Sequence, residues 1–208
     1  MRNQVHTNPT PIRRRLAVVG LIAAAAVAVI PAAQANAAST WFGSKVNKTV
    51  QPSNSLPAHD CFLNTPGACT RVMVNAYQNP GGAKAPKTGK IKRIKLIAGG
   101  KGSFRLFVAK ARPNQEKAKL VRKGPRLKYQ GQDPNWDDPY EIDKFKMNLP
   151  IKKGQYLAVR SRKTSMIRCS SGGDEQLLFQ PALPLGGPFQ AADGTDGCFL
   201  LLKAKVRY

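Results

Sequence analysis

The chain has 208 residues, 42% of them hydrophobic. That is enough for a real core and argues against general disorder, and the length allows one domain of ordinary size beyond a processed leader. Lys and Arg number 34 against 11 acids, a formal net charge of +23, so polyanionic partners are favoured by long-range attraction. Solubility through self-repulsion is the plainer reading of the same charge.

Arg13, Arg14 and Arg15 precede an apolar run from Leu16 to Ile30, which Pro31 and small residues close. This is the three-part pattern of a secretory signal. The run is shorter than the roughly 20 residues a spanning helix needs. Cleavage sites of A-x-A type follow Ala35 and Ala37. We expect a signal peptide over 1–37, a flexible N-terminal arm over 38–60 and a β-sandwich domain over 61–208. The general secretory route fits better than the twin-arginine route, because the rest of the latter's motif is missing. Removing Arg2 and the Arg13–Arg15 triplet leaves 30 basic and 11 acidic residues, or +19. The expected location is secreted, extracellular or at the cell surface. No other apolar run approaches membrane length, so no transmembrane segment is expected.

All four cysteines, Cys61, Cys69, Cys169 and Cys198, follow the leader. An even number in an exported chain reads as disulfides. Cys61 and Cys69 bracket a Pro66-Gly67 turn, which suits a local bridge and leaves Cys169 with Cys198. A zinc site is the poorer reading, since no C-x-x-C pair occurs and His59 is the one histidine left after the leader.

Strand signals begin in the arm with WFGSKV and resume at Thr70 to Tyr77. Lys90 to Ala98 and Ser103 to Lys110 flank a Gly-rich loop and predict an antiparallel hairpin. Lys119 to Lys123 and Arg126 to Tyr129 are weaker strands separated by Gly124-Pro125. Glu141 to Leu149 places Phe145, Met147 and Leu149 on one face and Lys144, Lys146 and Asn148 on the other. A Lys152-Lys153-Gly154 turn leads to Gln155 to Ser161. Met166 to Cys169, Gln176 to Gln180 and Cys198 to Val206 bring the total to about nine strands, with no helical periodicity outside the leader. The expected fold is all-β, a two-sheet antiparallel sandwich.

The stretch from Lys84 to Lys128 holds 16 Lys or Arg residues against one acid, Glu116. Apolar residues still alternate within it, so it reads as cationic strands. Lys90 and Lys92 fall on one side of the first strand, Arg93 and Lys95 on the other. One side must be buried, so a bulge or an edge position is expected to let these charges reach water. On the next strand Arg105 and Phe107 point away from Phe104, Leu106 and Val108. Lys90, Lys92, Arg93, Lys95, Arg105, Arg122, Lys123 and Arg126 form the candidate polyanion site. Binding there would weaken steeply with salt. Edge protection by Lys-rich strands is an equally good account, and nothing here reads nucleic acid by sequence.

The segment from Gln130 to Asp143 has five acids and no base. Asp133, Asn135 and Asp137 offer oxygen ligands at alternate positions, as calcium requires, although Asp138 and Lys144 break the EF-hand pattern. The same loop also reads as a counter-charge to the basic strands, and no other cofactor is expected. Trp136 and Tyr140 could stack on sugar rings or plug the sandwich edge. Asp137, Asp138, Glu141 and Asp143 could include a glycosidase pair. They share one short segment, and no nucleophile motif accompanies His59, so an enzyme is not expected.

The run TGKIKRIKLIAGGKGSFRLFVAKAR, then FKMNLPIKKGQYLAV, then LPLGGPFQAADGTDGCFLLLKAKV resembles a group of uncharacterised exported bacterial β-sandwich proteins. The resemblance covers roughly residues 70 to 207 and implies a jelly-roll-like topology, similar to carbohydrate-binding modules. It implies no catalytic residues. The combined expectation is a secreted, non-enzymatic protein that binds anionic cell-wall glycopolymer or polysaccharide. The alternative is a carbohydrate-active hydrolase using carboxylates of the 133–143 loop.

Overall fold

Residues two apart on a strand point to the same side of its sheet, and here the apolar stripes meet between two antiparallel sheets. In the computed structural model the chain divides into two compact units, Met1–Ala35 and Asn36–Tyr208. The described residues are 37–47, 67–79, 82–98, 101–130, 142–161 and 169–208, without the side chains of 169–175, 196 and 198. All lie in the second unit. Residues 1–36 of the expected signal peptide and residues 48–60 of the expected arm fall outside them.

The strands are β1 Ser39–Gly43, β2 Cys69–Met73, β3 Gly89–Leu96, β4 Gly102–Arg112, β5 Lys117–Tyr129 and β6 Asp143–Ile151, followed by β7 Tyr156–Ser161, β8 Cys169–Phe179, β9 Gln190–Ala191, β10 Gly194–Leu200 and β11 Leu202–Arg207. One sheet runs β1-β11-β3-β6 and the other β10-β8-β2-β7-β4-β5-β9. Every pairing of named strands is antiparallel. Among the described residues eleven strands stand where nine or so were expected, and β1 and the short β9 each form a sheet edge. The turn at Lys152–Gly154 stands as expected, with Gly154 at φ +80°, a left-handed conformation that suits a residue without a Cβ.

The main core lies between the sheets. Ile91, Ile94 and Leu96 of β3, Leu149 of β6, and Leu202, Ala204 and Val206 of β11 meet Phe104, Leu106 and Val108 of β4 and Leu157 and Val159 of β7. Fully burying one such large apolar side chain contributes about 1.5–3 kcal/mol. A second cluster covers the opposite face of the seven-stranded sheet. It joins Val72, Phe107, Ala109, Ala118, Leu120, Ala158, Leu177 and Phe179 to Leu183 from the segment after β8. Phe107 therefore turns away from Phe104, Leu106 and Val108 as expected, yet it is buried. The segment 180–192 crosses that face from β2 to β5: Ala182 N–H donates to Ala68 O (3.1 Å) and Gly186 N–H to Leu120 O (3.0 Å).

Three expectations are corrected. β3 and β4 do not form a hairpin: β3 pairs with β11 and β6, whereas β4 pairs with β5 and β7. Ile97 and Ala98 after β3 are buried, and Ile97 N–H donates to Leu201 O (3.1 Å), so the chain crosses between sheets there instead of turning back. The expected strand Cys198 to Val206 is likewise two strands in different sheets, broken at Leu201. A continuous apolar run hides such a switch, since both halves bury side chains in the same core. Conversely, the two weak strands around Gly124-Pro125 are one, β5.

Candidate functional site

Simple alternation cannot bury Ile91, Ile94 and Leu96 together, because the first two are three residues apart. The structure resolves this with a bulge. On β11 the adjacent residues Lys205 and Val206 face Arg93 and Ile91, so Lys92 is the extra residue. Of the two expected ways for these charges to reach water, a bulge or an edge position, the strand has the bulge and is not at an edge, since β3 lies between β11 and β6. Lys90 and Arg93 are exposed, Lys92 and Lys95 half-buried, and Lys92 Nζ donates to Asn148 Oδ1 (2.7 Å) across the sheet.

The consequence is a face built of cationic rungs. Residues directly opposite on neighbouring strands project on the same side, with strands about 4.8 Å apart. One rung reads Gly43, Lys203, Lys95, Lys144; the next reads Trp41, Lys205, Arg93, Lys146; a third reads Ser39, Arg207, Lys90, Pro150. With Lys92 in the bulge, nine basic residues stand on this face, and among its described residues there is no acid. Opposed like charges each cost roughly 0.2–1 kcal/mol.

Trp41 closes the middle rung. Lys95 Nζ and Lys203 Nζ each lie 5.2 Å from its ring centroid, within cation–π range. Burial first and Lys95 second hold the Lys203 ammonium below its ordinary pKa. Gly43 ends β1 at φ +97°, where an added Cβ would lie 2.6 Å from Leu202 O. The strand end that carries Trp41 therefore needs glycine beside β11.

The eight residues expected to bind polyanion separate into two groups. Lys90, Lys92, Arg93 and Lys95 share the four-stranded face. Arg105, Lys123 and Arg126 belong to the seven-stranded sheet, Arg105 and Arg126 directly opposite each other and Lys123 opposite Phe107. Arg122 is exposed on β5. The sequence reading missed Lys144, Lys146, Lys203, Lys205 and Arg207. Their signal was present as the alternation LKAKVR and DKFKMN, but nothing local says that those strands flank β3.

Asp133, Asn135, Asp137, Trp136 and Tyr140, the expected calcium and sugar contacts, lie outside the described residues. So do Asp138 and Glu141 of the alternative hydrolase. Asp143 begins β6 opposite Leu96. Cys69 is buried on β2 and disulfide-bonded; Cys61 and the side chains of Cys169 and Cys198 lie outside what is described. Among the described residues no helix is long and apolar enough to cross a membrane.

Comparison with protein families, characterised proteins and solved structures finds no match for this chain. What stands of the resemblance to exported bacterial sandwiches is its coarse architecture, an all-β fold of two antiparallel sheets.

Proposed function

We propose that this protein is exported and acts without catalysis, binding an anionic cell-wall glycopolymer or polysaccharide across the outer face of the four-stranded sheet. The observation behind this reading is the set of opposed cationic rungs with no acid among the face's described residues. A linear polyanion lying along the strands would meet a new rung about every 6.8 Å, the distance between same-side residues. Trp41 adds an aromatic surface for a sugar or polyol unit.

The test is retention on purified cell wall and on isolated wall polymer. If the six cations of the two complete rungs each displace a counterion, log K should fall against log salt with a slope of roughly −4. The triple variant Arg93→Gln, Lys95→Gln, Lys205→Gln should roughly halve that slope. Retention that ignores salt, or survives the triple variant unchanged, rejects the reading.

We further read the fold as a jelly roll. With β8, β9 and β10 set aside, the remaining eight strands run first-eighth-third-sixth in one sheet and second-seventh-fourth-fifth in the other. This supports two wrapped Greek keys with a β8–β10 insertion. We read the cysteines as Cys61–Cys69 and Cys169–Cys198. Cys169 lies opposite Leu200 and Cys198 opposite Ser171 on paired strands, one diagonal step apart.

A further inference from the structure

A second cationic cluster stands on the other sheet and does not depend on the reading above. Arg160 of β7 faces Arg105 of β4, which faces Arg126 of β5, so three guanidinium groups share one rung. They project on the side away from the main core, beside the segment 180–192. Among the described residues the rung holds no carboxylate; it continues only to Thr70 and Phe179.

Two of the three arginines are anchored by backbone carbonyls. Arg105 Nη1 donates to Gly124 O (3.2 Å). Arg160 Nη2 donates to Leu183 O, and its guanidinium lies 4.7 Å from the Phe107 ring centroid. Leu183 is fixed in turn, its N–H donating to Thr70 Oγ1 (3.1 Å). Arg126 is exposed. The crowding is felt: burial first and Arg105 second lower the Arg160 pKa.

This arrangement differs in kind from the lysine face. Lysines on long stems follow a mobile polymer as point charges. Guanidinium forks held in place favour bidentate bonds to one compact oxyanion. Three of them about 4.8 Å apart suit a tetrahedral dianion better than a planar monoanion. We infer that Arg105, Arg126 and Arg160 form an oxyanion site that takes a phosphate group, free or as an ester.

Titration calorimetry at fixed ionic strength tests this, with inorganic phosphate and glycerol 3-phosphate as the two probes. Saturable binding of one phosphate per chain is expected. Arg126→Gln, which touches no packing, should weaken it about tenfold or more, the effect of losing one charge-assisted hydrogen bond. Arg105→Lys should weaken it although the charge is kept. The pair Arg93→Gln, Lys95→Gln on the other sheet should leave it unchanged. Binding of both probes assigns an ester source, and binding of inorganic phosphate alone assigns the free ion. No saturable heat with either probe overturns the inference, as does a loss in the Arg93/Lys95 variant equal to that in Arg126→Gln.

Discussion

Arg93 is the residue at which stability and the proposed binding should pull apart most clearly. It is exposed and stands directly opposite Lys205 on one side and Lys146 on the other. Arg93→Gln removes two like-charge oppositions, worth about 0.4–2 kcal/mol together. For a domain of this size that is a rise in Tm of about 1–8 °C, and the variant should melt later than the wild type. The gain is electrostatic, so it should be full at 0.01 M salt, where the Debye length is about 30 Å, and nearly absent at 1 M, where it is about 3 Å. Urea and thermal melts at both salt concentrations measure it, alongside retention on wall polymer, which should fall. A variant that is less stable, or equally stabilised at both salts, would refute the reasoning. Binding surfaces that sacrifice stability behave in this way.

The bulge predicts an unusual tolerance. Deleting one residue from a core strand normally turns its buried face outward. Deleting Lys92 should instead restore plain alternation of β3 against β11, at some cost to its register with β6, where Leu149 and Lys146 already lie three residues apart; the protein should stay folded by circular dichroism, whereas deleting Lys95 should unfold it, and equal damage from both would contradict the register. Lys203, held first by burial and second by Lys95 opposite, with Trp41 and Lys205 also facing it, has a folded pKa below its ordinary 10.5. The unfolded chain then holds more protons between that lowered pKa and 10.5, so stability should climb with pH across this window and stay flat below it. Lys203→Gln should remove that increment from the difference in denaturant midpoints; an identical slope in both proteins would count against the assignment. Peptide mapping without reduction should recover Cys61 linked to Cys69 and Cys169 linked to Cys198. A fragment joining Cys69 to Cys198 would contradict the strand register, which sets those positions about six residues, or roughly 20 Å, apart along the sheet.

Much of the sheet content was legible because it is written in local alternation. Phe145, Met147 and Leu149 face inward and Lys144 and Lys146 outward on β6, as period two requires. The bulge of β3 was legible too, since burying Ile91 and Ile94 together leaves no other solution. What could not be read is which strand lies beside which. The sequence around Gly99-Gly100-Lys101-Gly102 reads like any hairpin loop, and only the long-range bond from Ile97 N–H to Leu201 O and the separate partners of β3 and β4 show otherwise. The same blindness divided the candidate site. Lys95 and Arg105 are ten residues apart in sequence yet lie on different sheets, while Lys95 and Lys203 stand side by side. Arg160 went unnoticed because a lone arginine in YLAVRS has no meaning until Arg105 and Arg126 are placed in its rung.

The position of β11 sets an order of events. It follows the other ten described strands in sequence, yet it lies inside the four-stranded sheet, between β1 and β3. Until residues 202–207 have been made, β1 has no neighbour in that sheet, and only the β3–β6 half of the cationic face can exist. Its pairing with β1 joins Ser39 to Arg207, across nearly the whole folded unit, and contacts so distant in sequence close slowly. A nascent chain therefore cannot complete the face early.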